Sequence, residues 1–138
     1  MIRVCIDTNA LLQLFGDNDV SRDIRGALLD GRIELAISIE ILLEYQETIT
    51  RLSGRSRWEQ VERFFSLLFI LHSNILFLEP HFRFSVITAD PDDNKFVDCA
   101  IAAQASLIIT SDRHFGALIG SGYKPQPITP DAFVQTRL

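Results

Sequence analysis

The chain has 138 residues, of which 47% are hydrophobic and 22% are charged, and its formal net charge is −5 at pH 7. This length and apolar content predict one folded domain over residues 1–138 with a sizeable core, and they exclude a largely disordered chain. No apolar run reaches the roughly 18 residues that cross a bilayer. The acidic balance excludes a broad basic face, although acids that a cation neutralises remain compatible with a phosphate-bearing substrate.

The two cysteines and the first ten residues bear on the cellular compartment of the protein. Cys5 and Cys99 have no metal-binding spacing and form no disulfide framework, so we expect two buried thiols in a reducing environment. The opening "MIRVCIDTNA" lacks the layout of a signal peptide. We therefore expect a cytoplasmic protein with no membrane segment.

Short apolar runs alternate with helical patterns along the chain. Strands are predicted at residues 4–6, 33–38, 74–80, 107–110 and 127–129. Helices are predicted at residues 21–31, 38–52, 58–71 and 92–105, and a last one after Thr129 with Pro130 at its first position. This alternation predicts an α/β fold with a mostly parallel sheet and helices on both faces. Ligands in such folds bind beyond the carboxyl ends of the strands.

Two aspartates follow predicted strands at that edge. Asp7 comes directly after the first strand, and Asp112 comes one residue after "LIIT". Either acid alone is explained equally well as a helix cap or a turn former. Their joint placement at the carboxyl edge of the sheet favours a site.

The helix that begins at Ser38 carries three glutamates. Its apolar arc ends at Ile41, and Glu44 lies only about 60° from that edge. Glu40 and Glu47 lie about 100° and about 120° beyond the same edge, towards solvent. We therefore predict that Glu44 leans towards the sheet edge and that the other two glutamates lie on the surface.

The stretch "TADPDDNKFVDCAIAAQA" begins with acids and becomes small and apolar. Asp98 shares its helix face with alanines four and seven residues later, and such small side chains allow close packing, so we predict that Asp98 points inward. Asp92 and Asp93 fit the N-cap or the first turn, where acids are favourable. The sequence thus assigns the early acids mainly to starting the helix and Asp98 to the site.

Four inward carboxylates, those of Asp7, Glu44, Asp98 and Asp112, repel one another unless a cation neutralises them. A set of oxygen ligands selects Mg²⁺ or Mn²⁺. These ions activate water and stabilise leaving oxygens at phosphates, so the set indicates phosphodiester hydrolysis by one or two ions. His114 is the histidine closest to the predicted site, and an ordinary, partly exposed histidine is the alternative.

Four ordered segments carry a resemblance to a known family: "VCIDTNALL", "SIEILLEYQETI", "DPDDNKFVDCAIAAQA" and "LIITSDRHF". They resemble the motifs of PIN domains, in the branch that includes the toxins of bacterial toxin–antitoxin pairs, relatives of the VapC type. The resemblance covers nearly the whole chain, through "ITPDAFV". It places the family's acids on Asp7, Glu44, Asp98 and Asp112, and it implies a three-layer α/β/α sandwich.

The resemblance also implies an activity and partners. It implies a Mg²⁺- or Mn²⁺-dependent endoribonuclease that leaves 5′-phosphate and 3′-hydroxyl ends, frequent homodimers, and inhibition by a small antitoxin. Asn9 and Ser111 match positions that support the metal ligands, and Asp93 matches a further acidic position that is either a ligand or a cap. Single-stranded DNA as the substrate stays open.

Several alternatives accompany this interpretation. Arg51, Arg55 and Arg57, around "RLSGRSR", are either phosphate contacts or a solvated turn. A dehalogenase-like phosphatase needs a second aspartate where Asn9 stands, and a receiver domain needs a lysine after "LIIT", where none follows. The remaining rival is a catalytically degenerate PIN domain that acts as a protein- or RNA-binding module.

Overall fold

The computed structural model describes all 138 residues and has one central sheet. Its five strands lie in the order β3-β2-β1-β4-β5, and every neighbouring pair is parallel. The strands are β1 (Ile2–Ile6), β2 (Ile33–Ile37), β3 (Ile75–Phe77), β4 (Leu107–Ile109) and β5 (Gln126–Ile128). The predicted α/β class is confirmed, and the sheet is parallel throughout.

The fold has six α-helices and two 3₁₀ helices besides the strands. The α-helices are α1 (Thr8–Gln13), α2 (Asp19–Leu29), α3 (Ile39–Ser53), α4 (Arg55–His72), α5 (Asn94–Ala102) and α6 (Pro130–Arg137). The 3₁₀ helices are Pro91–Asp93 and Arg113–Leu118. Two predicted caps are confirmed, because Ser38 and Thr129 each accept a hydrogen bond from a backbone N–H three residues later, at 3.2 Å.

Some predicted boundaries are wrong for local reasons. Helix α2 begins at Asp19, because Asn18 rather than Ser21 is its cap and accepts from the Ser21 N–H at 2.8 Å. Helix α4 begins at Arg55 rather than at residue 58, since only Gly54, with φ of 90°, interrupts the helical path from α3. The predicted basic loop is therefore mostly helix.

The predicted helix over residues 92–105 is divided and shorter. Asp90 accepts a hydrogen bond from the Asp92 N–H at 3.3 Å and so starts the 3₁₀ helix, and α5 follows from Asn94. The helix stops at Ala102, and Gln104 has a left-handed φ of 56°. Asp93 therefore lies in the 3₁₀ turn that precedes α5, which changes the direction in which its side chain points relative to Asp98.

The path of the chain creates a crevice at the middle of the sheet. From β1 the chain moves to β2 and β3, then returns to the opposite side of β1 for β4 and β5. Right-handed crossovers in opposite directions place helices on both faces, around a core of 35 buried apolar residues. The reversal lies between β1 and β4, where α/β sheets bind ligands at the carboxyl ends. None of the helices combines the length and apolarity that a membrane span requires.

Candidate metal centre

Asp7 and Asp112 meet at this reversal point through Thr110. Asp7 is 6% exposed and caps α1, because its Oδ1 accepts the Ala10 N–H at 2.8 Å. Its Oδ2 accepts a hydrogen bond from the hydroxyl of Thr110. The Thr110 oxygen in turn accepts the Asp112 N–H at 2.9 Å. The strand ends thus fix both aspartates in one hydrogen-bonded unit.

Asp93 reaches the same place from the turn before α5. Carboxylate oxygens of Asp90, Asp93 and Asp112 and a ring nitrogen of His114 all lie within 4.8 Å of one another. The backbone N–H of His114 donates to Asp112 Oδ1 at 2.9 Å, which starts the second 3₁₀ helix. Four polar side chains therefore converge on a volume that fits a single ion.

The electrostatics of this cluster favour a bound cation. Burial raises the pKa of Asp93 most, followed by the negative charges of Asp90 and Asp112, and the result is about 7. Burial also raises the pKa of Asp7, against the hydrogen bonds from Thr110 and Ala10, which lower it. Asp93 Oδ2 is shut off from solvent and has no hydrogen-bond partner. Because unpaired buried carboxylate oxygens are costly, these residues fit a divalent ion as their partner.

The raised pKa of Asp93 predicts how stability changes with pH when no divalent ion is present. Its folded-state pKa of about 7 exceeds the ordinary 3.8, so the folded state binds the proton more tightly. The protonated Asp93 side chain therefore contributes its full stabilisation of the folded state below about pH 4, and this contribution is lost as the pH rises through 7. In EDTA, we expect the melting temperature of the wild type to fall relative to that of Asp93→Asn as the pH is raised from 5 to 8. An unchanging difference between the two proteins would contradict the assignment of this pKa.

Glu44 lies beside this unit but already has partners. Its Oε2 accepts a hydrogen bond from the Thr8 hydroxyl, and its Oε1 accepts from Lys95 Nζ at 2.6 Å. The side chain of Glu44 is 24% exposed and that of Lys95 is 16% exposed. Desolvation lowers the pKa of Lys95, but the hydrogen bond and charge of Glu44 outweigh it and the pKa is raised. Glu44 also raises the pKa of Asp7 by its charge, and its hydrogen bond to Thr8 places it next to the end of β1. Metal binding by Glu44 stays a prediction.

Asp98 is buried, as predicted, but its contacts differ from those expected. Its Oδ1 accepts the Phe84 N–H at 3.0 Å. Asn94, one turn earlier, exchanges hydrogen bonds with the backbone of Ile87 at 2.8 and 2.9 Å. Asp98 and Asn94 thus fasten the segment that follows β3 to α5.

The charged groups that affect Asp98 differ from those that affect Asp7. Burial raises its pKa most, Arg83 lowers it and Glu40 raises it. The charges that raise the pKa of Asp7 are instead those of Asp112 and Glu44. The structure therefore joins Asp7 and Asp112 through Thr110, with Asp93 close to Asp112. Glu44 bonds to Thr8, and Asp98 bonds to Phe84 in the segment after β3. Metal binding by Asp98 stays a prediction that these contacts do not favour.

Asn9 and Ser111, which match supporting positions of the family, lie at the edge of this unit. Asn9 and Ser111 line a cavity of about 380 Å³ with Asp7 and Asp112, but neither side chain hydrogen-bonds to an acid. Thr110 and Thr8 provide those hydrogen bonds instead. The sequence analysis predicts neither threonine, although Thr8 directly follows Asp7 and Thr110 directly precedes Ser111.

The three arginines lie in α3 and α4, away from these hydrogen bonds. Arg51 is exposed in the last turn of α3. Arg55 forms an ion pair with Glu59 at 3.4 Å, and Arg57 donates to the Phe15 carbonyl at 3.2 Å and to Gln60 at 2.8 Å. Their role as phosphate contacts therefore stays a prediction.

Comparison with known proteins agrees with this architecture. A sequence model described as a PIN domain matches residues 3–114. The fold is similar to that of VapBC2 from Rickettsia felis, solved bound to a DNA fragment from their promoter. The TM-score is 0.60 and the identity 14%, over 91% of this chain and 98% of the other. Curated protein sequences yield no match. At that identity the structural likeness establishes similarity of fold alone.

Proposed function

Because the chain belongs to the PIN domain family, we propose that it is a nuclease that hydrolyses phosphodiester bonds of RNA with Mg²⁺ or Mn²⁺. One observation carries the proposal: the unpartnered Asp93 Oδ2 lies within reach of Asp112 where β1 and β4 end. Adjacent carboxylates need a proton or a cation between them. This position is also where parallel α/β sheets bind substrates.

Asp90, Asp93 and Asp112, whose oxygens lie within 4.8 Å of one another, would hold the ion, and the predicted ligand Asp7 lies beside them. The bound ion would lower the pKa of the attacking water and stabilise the departing 3′ oxygen. The protein fixes the carboxylates in advance, because Thr110 hydrogen-bonds to Asp7 and to the backbone of Asp112. Such fixed outer contacts orient ligands and limit their reorganisation on binding.

Lys95 supplies positive charge next to the proposed site. Glu44 holds the ammonium group, and the lysine side chain is only 16% exposed. An ammonium in such a partly dry place attracts a phosphate more strongly than one in bulk water. We therefore propose that Lys95 stabilises the negative charge that develops on the scissile phosphate. Both carboxylate oxygens of Glu44 already accept hydrogen bonds. Glu44 would therefore position Lys95 and contribute negative charge near the ion.

The biological role proposed is that of a toxin in a toxin–antitoxin pair. The similarity in fold to VapBC2 supports it. An exposed apolar groove of about 490 Å³ between α3, α4 and β3 also supports a protein partner, because exposed apolar patches of this kind mark interaction surfaces. Its lining includes Leu43, Phe69, Ile70 and Phe77, each at least half exposed. The occupants proposed are the cognate antitoxin and, in its absence, a second copy of the chain.

The experiment that tests the activity uses purified protein and total RNA. We expect cleavage with Mg²⁺ or Mn²⁺, no cleavage with EDTA, and products with 5′-phosphate and 3′-hydroxyl ends when the ends are mapped. A parallel reaction with single-stranded DNA decides between the two nucleic acids. Cleavage that persists in EDTA would contradict the metal centre. Absence of cleavage under all conditions, with binding of RNA or of an antitoxin retained, would favour the degenerate binding module.

A further inference from the structure

His114 presents an unused nitrogen to the cluster of acids. Its Nδ1 is shut off from solvent and has no hydrogen-bond partner, although the ring as a whole is 36% exposed. The nitrogen lies 3.3 Å from Asp112 Oδ1 and 3.9 Å from Asp93 Oδ2. Asp93 Oδ2 also lacks a partner. Two unsatisfied buried atoms on separate elements therefore face the same small volume.

We infer that His114 is a nitrogen ligand of the proposed metal centre and makes it prefer Mn²⁺ to Mg²⁺. The inference rests on the proposed function, because the same ion serves both. Ligand atoms about 2.1 Å from one ion lie about 3.0 Å apart when adjacent and about 4.2 Å apart when opposite. The two separations of 3.3 and 3.9 Å fall between these limits.

The backbone holds the ring in this position. The N–H of His114 donates to Asp112 Oδ1 at 2.9 Å in the first turn of the 3₁₀ helix Arg113–Leu118. That hydrogen bond holds His114 next to Asp112, which follows β4. A neutral imidazole with its proton on Nε2, towards the exposed side of the ring, leaves the Nδ1 lone pair for the ion.

The presence of a nitrogen donor changes which ion fits best. Mg²⁺ prefers oxygen ligands in a strict octahedron and retains its waters, whereas imidazole suits the later first-row ions, and Mn²⁺, at the start of that series, binds oxygen ligands and accepts a nitrogen among them. Mn²⁺ is the weakest binder in the affinity series of first-row transition ions, but it is softer than Mg²⁺ and gives up its waters more readily, so a nitrogen donor strengthens its binding more. Replacing the nitrogen by an oxygen donor should therefore weaken Mn²⁺ binding much more than Mg²⁺ binding.

The test compares wild type, His114→Gln and the control His81→Gln, which removes an exposed histidine. We expect calorimetric titration to show a loss of roughly tenfold or more in Mn²⁺ affinity for His114→Gln, with Mg²⁺ affinity changed less than about threefold. His81→Gln should match wild type for both ions. Because His114 Nδ1 has no hydrogen-bond partner, the substitution removes none, and thermal melting checks the fold.

A spectroscopic measurement on the wild type keeps the inference testable even if the variant fails to fold. Electron spin-echo spectra of bound Mn²⁺ should contain a nitrogen coupling that changes when the histidines are labelled with ¹⁵N. Mn²⁺ that binds without this coupling would overturn the role of His114 and leave the nuclease proposal intact. Failure of the wild type to bind either ion would overturn the metal centre itself.

Discussion

Asp93→Asn is expected to abolish metal-dependent cleavage while making the ion-free protein more stable. Loss of a ligand oxygen should reduce the cleavage rate by roughly 100-fold or more, because the ion would be held by fewer charges. In EDTA the same change removes a carboxylate whose pKa is raised to about 7 by burial and by Asp90 and Asp112. We expect a gain on the order of 1 kcal/mol at pH 8, or about 3–5 °C in melting temperature.

The matched control is Asp98→Asn, five residues along the same segment. Asparagine keeps an oxygen that can accept the Phe84 N–H, so the attachment of the segment after β3 is retained. We expect cleavage and Mn²⁺ affinity within about threefold of wild type, since Asp98 bonds to Phe84 and lies outside the cluster of Asp90, Asp93, Asp112 and His114. Loss of cleavage in Asp98→Asn together with wild-type activity in Asp93→Asn would confirm the role of Asp98 that the sequence motif predicts and contradict the role proposed for Asp93.

Lys95→Met should separate metal binding from catalysis. Methionine has a similar length but no charge, so Glu44 loses the partner that it holds at 2.6 Å. The extra negative charge should strengthen Mn²⁺ binding, by roughly tenfold for about 1.4 kcal/mol of added attraction. Cleavage should nevertheless fall by roughly 100-fold at saturating metal, because a group that stabilises phosphate charge has been removed. Initial rates and calorimetric titration measure the two effects on the same preparation.

The chain contains one other lysine, which serves as the control. Lys124 is exposed in the connection before β5, and Lys124→Met should leave both metal affinity and cleavage close to wild type. A purely structural role for Lys95 predicts a different pattern, namely lower thermal stability with unchanged cleavage at saturating metal. That pattern, or weaker metal binding, would remove Lys95 from the catalytic proposal.

The sequence determined the layers and the edge at which a site would form. Apolar runs of strand length, separated by helical patterns, suffice to predict a parallel sheet, and local caps such as Ser38 and Thr129 act through residues three positions away. Asp7 and Asp112 were identified for the same reason, because their distance from a strand end is a property of the local sequence. Glu44 followed from helical periodicity, which orients a side chain relative to its own helix.

Only the tertiary structure shows which acid of the segment before β4 lies beside Asp112, namely Asp93. Periodicity over residues 92–105 treats the segment as one helix, but Pro91–Asp93 is a 3₁₀ turn, so the direction of Asp93 does not follow from that of Asp98. The Phe84 N–H that binds Asp98 and the Thr110 hydroxyl that binds Asp7 come from residues 14 and 103 positions away. Hydrogen-bond partners at such separations are set by the packing of whole elements, which local propensity and spacing do not encode.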